Sequence, residues 1–92
     1  MGRSARPKPL RLGEKLLEIR QRLGFSQSQM WRALELSADY TAISQYEADK
    51  REPPLPVLLK YARIVGISTD VLIDDDLDLP KAWSVQLRNR VK

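Results

Sequence analysis

The stretch that most constrains the fold is residues 26–47, SQSQMWRALELSADYTAISQYE, which reads as two short helices joined by a tight polar turn. Ser26 is followed three residues later by Gln29, the spacing at which each side chain satisfies a free backbone N–H at a helix start. Phe25 and Met30 flank this pair as an apolar staple, so a helix is expected from Gln27. Its apolar positions Met30, Ala33 and Leu34 repeat at three and four residues. Ser37, Ala38 and Asp39 then form a turn, because Ser and Asp favour turns and caps over helix interiors. A second helix is expected to restart near Asp39 or Tyr40. Its inward stripe is read as Tyr40, Ile43, Tyr46 and Glu47, which leaves Thr41, Ala42, Ser44 and Gln45 on the outer side.

The flanking sequence supplies three more helices. Leu12, Leu16, Ile19 and Leu23 are spaced by four, three and four, and Gly24 follows as a left-handed terminator, so helix 1 is expected from about Arg11 to Leu23. Residues 48–56, ADKREPPLP, read as a loop, with Asp49 tolerating positive φ. Helix 4 should begin near Leu55 with Pro56 in its first turn, bury Leu55, Leu58, Leu59, Ala62 and Val65, and end at Gly66. Ser68 can cap helix 5, where Asp70 suits the first turn and Val71 and Leu72 close the core.

Ninety-two residues, 42% of them hydrophobic and 30% charged, support one small core. The absence of His and Cys removes the usual general base, thiol nucleophile and soft metal ligands, and there is no Gly-rich phosphate loop or GxSxG serine. No enzyme, cofactor or metal site is expected. No run approaches the roughly 20 apolar residues of a membrane span, and the basic N-terminus lacks a signal-peptide apolar region, so a cytoplasmic chain is expected. The net charge of +4 is unevenly spread: residues 1–25 carry +5, residues 26–66 balance, residues 67–80 carry −5 and residues 81–92 carry +4. Asp74, Asp75, Asp76 and Asp78 lack the Gly turn and distal Glu of a calcium loop and are read as a solvated acidic segment. Trp83 in the C-terminal tail is read as either a satellite core contact or a dimer contact.

From Leu12 to Leu72 the chain resembles the lambda-repressor-like (Cro-type, or XRE-type) helix-turn-helix family. The resemblance is carried by Leu23-Gly24, Ser26-Gln27, Ile43-Ser44, Tyr46-Glu47, Lys50-Arg51, Pro53, Leu58-Leu59, Ala62, Gly66 and Ser68. Three features depart from it: Glu35 stands where a Gly usually follows helix 2, Trp31 stands where a small residue lies inside that helix, and two extra residues lie between Leu36 and Ile43. The resemblance implies an all-α, five-helix bundle with its helix-turn-helix in helices 2 and 3. A flexible basic arm is expected over residues 1–10, the DNA-binding domain over 11–76 and a short tail, a candidate dimer contact, over 77–92.

It also implies double-stranded DNA as partner. Thr41, Ala42, Ser44 and Gln45 become base-reading candidates, Gln45 because its amide can pair with adenine N6 and N7 in the major groove. Gln27, Lys50 and Arg51 become phosphate contacts. Arg3, Arg6 and Lys8 become arm contacts that add affinity by counterion release. Glu47 is expected to pair with Arg20 as a structural link, and Tyr40 is read as core with DNA contact as the alternative. The expected function is a homodimeric transcription regulator, most simply a repressor, on a two-fold symmetric operator. A protein-interaction module, such as an antitoxin or adaptor, is the alternative on the same scaffold. No small-molecule ligand is expected.

Overall fold

The computed structural model describes residues 9–82, within which the chain forms five α-helices and no strand. They are Leu12–Leu23 (α1), Gln27–Ala33 (α2), Ala42–Glu47 (α3), Leu55–Val65 (α4) and Thr69–Ile73 (α5). Arg3, Arg6, Lys8 and Trp83 lie outside the described residues.

Local chemistry sets most helix ends. Gly24 and Gly66 adopt left-handed backbone at φ 74° and 72° and terminate α1 and α4. At the start of α2 the Gln29 N–H donates to Ser26 Oγ at 3.1 Å and the Ser26 N–H to Gln29 Oε1 at 2.7 Å, the reciprocal pair expected from the spacing. The Asp70 N–H donates to Ser68 Oγ at 3.1 Å and caps α5.

The core gathers Leu12, Leu16 and Ile19 of α1, Met30 and Leu34 around α2, Ile43 and Tyr46 of α3, and the inner side of α4. That inner side is Leu58, Tyr61, Ala62, Ile64 and Val65; Leu55 and Leu59 are exposed, contrary to expectation. The buried stripe is centred on residues 58, 61, 62 and 65, so Leu55 overhangs the end of the core and Leu59 sits at its side. The α3 helix packs on both α1 and α2, while α5 joins α4 to α1. Close approach of α1 to the end of α3 depends on Gly13, where a Cβ would lie 2.8 Å from the Glu47 carbonyl oxygen.

The turn between α2 and α3 shows how two of the departures compensate one another. The indole N–H of Trp31 donates to the Ala38 carbonyl at 2.8 Å, tying the lengthened turn to α2. Glu35 takes the left-handed conformation at φ 53° that a Gly would otherwise adopt, and Lys60 Nζ donates to its carbonyl at 3.1 Å. Asp49 is likewise left-handed at φ 60°, as expected.

The acidic segment is not simply solvated. After α5 the chain runs as a strap along α1, from its N-terminal to its C-terminal end. Asp75 accepts the backbone N–H groups of Leu10 (2.9 Å) and Arg11 (3.0 Å), and the Arg11 guanidinium pairs with Asp78 at 2.7 Å. Leu79 is buried against the core, and Arg22 donates to the Pro80 carbonyl at 2.5 Å. Beneath the strap lies Lys15, buried in full, whose ammonium donates to the carbonyls of Val71 (2.7 Å), Asp74 (2.9 Å) and Leu77 (2.7 Å). Burial pulls the Lys15 pKa below its ordinary value, assisted by Arg11 and opposed by Asp75, Asp74 and Asp78. Residues 77–81, read from sequence as the start of a tail, thus belong to the packed domain.

The backbone amides of Leu10 and Arg11 hold the Asp75 carboxyl below its ordinary pKa of 3.8. A lowered carboxylate pKa stabilises the fold above the ordinary value, and that contribution is lost as pH falls through the lowered one. Asp75→Asn is therefore expected to flatten the loss of stability as pH falls below the ordinary carboxylate value of 3.8. Denaturation midpoints across that range check it, and parallel curves for variant and parent would contradict it.

Candidate nucleic-acid interface

The second helix of the motif is only six residues long, so its orientation depends on what holds it. It starts at Ala42, later than expected, because Asp39 does not cap it with a side chain. The Thr41 hydroxyl donates to the Asp39 carboxylate, while the Ala42 N–H closes a turn on the Asp39 carbonyl at 3.0 Å. Ile43, Tyr46 and Glu47 face inward as read from sequence, and the differences lie at Tyr40 and Ala42. Ala42 is fully buried and is removed from the base-reading set. Tyr40, read as core, lies before the helix and is 65% exposed. Its three-residue spacing from Ile43 carries no meaning where the chain is not helical.

The outer face that remains presents Thr41, exposed, with Ser44 and Gln45, each half-exposed. The Ser44 hydroxyl donates to the Thr41 carbonyl at 2.9 Å, which reinforces the first turn. Lys50 is exposed just past the helix, where its backbone N–H donates to the Gln45 carbonyl at 2.9 Å.

Behind this face a bidentate ion pair links α3 to α1. Arg20 Nε donates to Glu47 Oε2 at 2.6 Å and Arg20 Nη2 to Glu47 Oε1 at 3.0 Å, with the Glu47 side chain 6% exposed. Arg20 Nη1 also donates to the Phe25 carbonyl at 2.9 Å, which fastens the entry to α2. The hydrogen bond to Glu47 raises the Arg20 pKa further into the always-charged range. Gln27 joins the same carboxylate, its Nε2 donating to Glu47 Oε1 at 3.1 Å. One amide proton of Gln27 is thereby committed to the protein and the other is available to an acceptor.

Arg51, expected from sequence as a phosphate contact, is engaged within the protein. Its Nη1 donates to Gln45 Oε1 at 3.0 Å and lies 3.5 Å from Asp39 Oδ1, and the guanidinium carbon sits 5.8 Å from the centre of the Tyr46 ring. The Thr41 hydroxyl and then Arg51 hold the Asp39 carboxyl below its ordinary pKa. Sequence reasoning missed Asp39 as a member of this face and gave Tyr40 a place on it only as the alternative to core; the two-residue extension of the turn was the signal that could have found both. Among the described residues no group of three or more acidic side chains could hold a metal ion, and no helix is long and apolar enough to cross a membrane.

Residues 13–75 match a family model described as a helix-turn-helix domain. The HTH-type transcriptional regulator ImmR of Bacillus subtilis (strain 168) is 36% identical over 79 residues, covering 86% of this chain and 60% of that protein. An SPbeta prophage-derived uncharacterized HTH-type transcriptional regulator of the same organism, YonR, is 38% identical over 66 residues, or 66% of this chain and 55% of that one. The chain thus spans little more than half the length of these curated relatives. Among solved structures, the P22 c2 repressor protein in complex with synthetic operator 9T superposes with a TM-score of 0.62 at 29% identity, over 71% of this chain and 96% of that one. The order of five helices, the capped α2, the short α3 and the match over residues 13–75 place the chain in the lambda-repressor-like, XRE-type helix-turn-helix family.

Proposed function

We propose that the chain is a sequence-specific double-stranded DNA-binding transcription regulator that acts as a repressor, in the form of a homodimer on a two-fold symmetric operator. The observation that carries this reading is the outer face of α3, where Thr41, Ser44 and Gln45 project from a helix fixed to α1 through Glu47 and Arg20. Side chains of this kind read base edges in the major groove, and a rigid mount keeps their register. Gln27 and Lys50 flank the face as phosphate contacts, and Arg3, Arg6 and Lys8 of the N-terminal segment add backbone contacts. The repressor bound to its operator among the structural relatives supports the same mode. Pairing of two copies is supported by an open apolar groove lined by Pro54, Leu55, Leu58 and Ile73, in which Leu55 is 75% exposed. Two copies would address half-sites about one helical turn, 34–36 Å, apart.

Selection of bound sequences from random duplex DNA tests the reading. A two-fold symmetric consensus is the expected result, and recovery of no consensus would overturn it. On the selected operator, Gln45→Ala is expected to cost about 1–3 kcal/mol at one base pair of each half-site and to relax preference there. Lys50→Ala should instead weaken all sequences alike and reduce the slope of log K against log salt by about one. Equal losses on operator and random DNA for Gln45→Ala would remove that residue from base readout.

A further inference from the structure

We propose that Arg51 is a positioning residue for base recognition: it fixes the Gln45 amide so that the side chain presents donors to the groove and favours guanine over adenine at the base pair it meets. The proposal rests on the reading of α3 as a groove-reading helix. A guanidinium carries N–H donors and no acceptor, so the amide atom that faces it is the oxygen. Arg51 Nη1 donates to Gln45 Oε1 at 3.0 Å, which turns the NH2 group of Gln45 away from Arg51. The major-groove edge of guanine offers two acceptors, N7 and O6, to such a donor group. Adenine offers one acceptor, N7, and its N6 amino group would meet the amide NH2 donor to donor. A glutamine free to turn its oxygen outward pairs with adenine instead, which is what the sequence alone suggests for Gln45.

Arg51 is held for this task from three sides. The left-handed backbone at Asp49 turns the chain back after α3, the Asp39 carboxylate lies 3.5 Å from Nη1, and the Tyr46 ring lies under the guanidinium at 5.8 Å. Asp39 is itself fixed by the Thr41 hydroxyl, so the turn before α3, the helix and the loop after it are joined in one network. A cation matched by Asp39 and committed to Gln45 is poorly placed to serve as a phosphate anchor.

The experiment is selection from random duplex DNA with the parent chain, Gln45→Ala, Arg51→Lys and Arg51→Met, followed by affinities at several salt concentrations. Gln45→Ala marks the position that Gln45 reads. At that position the parent should select guanine, and both Arg51 variants should shift the guanine-to-adenine ratio by roughly five- to a hundredfold while retaining the rest of the consensus. Lysine fails as a substitute because it keeps the charge but lacks the planar guanidinium that lies over the Tyr46 ring and so fixes the donor to Gln45. Asp39→Asn, which loosens Arg51 without altering it, should shift the same position in the same direction. If Arg51→Lys binds like the parent and Arg51→Met weakens every sequence equally with a shallower salt slope, Arg51 is a backbone anchor and the proposal is overturned. A parent that selects adenine where Gln45→Ala relaxes preference also overturns it, with the DNA-reading function intact. A parent that selects no sequence overturns both together.

Discussion

Glu47→Ala is expected to lower the melting temperature of the free protein by more than about 10 °C, with no DNA present. The carboxylate accepts two hydrogen bonds from Arg20 and one from Gln27, and its side chain is 6% exposed. Removing one partner of such a pair strands the other charge where little water reaches it, at a cost on the order of 3 kcal/mol. A domain of this size loses several degrees of melting temperature per kcal/mol. Because Arg20 lies on α1 and Glu47 ends α3, the loss falls on the contact that fixes α3 to α1. Glu47→Gln, which keeps the shape but not the charge, should lose less. Thermal melts by circular dichroism decide the matter, and an alanine variant that melts with the parent would make Glu47 a surface residue.

Lys15→Ala is expected to destabilise the fold by about 3 kcal/mol or more, with the strap after α5 released first. Three carbonyl oxygens would lose a buried donor at once, each unsatisfied group costing about 1–3 kcal/mol where water does not replace it. Lys15→Met separates the two contributions: it retains the apolar stem and deletes only the ammonium. Its expected loss is smaller than that of alanine but still clear in a denaturant titration. A methionine variant as stable as the parent would show that the ammonium does not hold the strap. Since neither substitution touches the α3 face, DNA selection by the folded fraction should be unchanged.

What the sequence made legible was governed by neighbours in the chain. Ser26 with Gln29, Gly24, Gly66 and Ser68 act on groups a few residues away, so five helices and most of their ends followed from spacing alone. The Arg20 pair with Glu47 came from family resemblance, because nothing in the spacing joins residues 27 apart. The misread positions depend on contacts between distant segments. The exchange of Ala42 for Tyr40 between inside and outside follows from the start of α3 at Ala42, after a turn tied back by Trp31. A lysine in an amphipathic pattern is ordinarily read as solvated, and the carbonyls that draw Lys15 inward lie 56 to 62 residues on. From sequence Arg51 is assigned to a DNA phosphate because its acceptor within the protein, Gln45, is itself assigned wholly to the DNA.

The strap also makes the opening of α1 a reporter of partial unfolding. The amides of Leu10 and Arg11 precede the helix and have no carbonyl of their own turn to bond; Asp75, more than sixty residues away in sequence, shields them instead. Their exchange with solvent deuterium is therefore gated by detachment of residues 74–81, whereas amides in the middle of α1 exchange only when the core itself opens. The difference between the two exchange free energies measures how far the strap behaves as a separate cooperative unit.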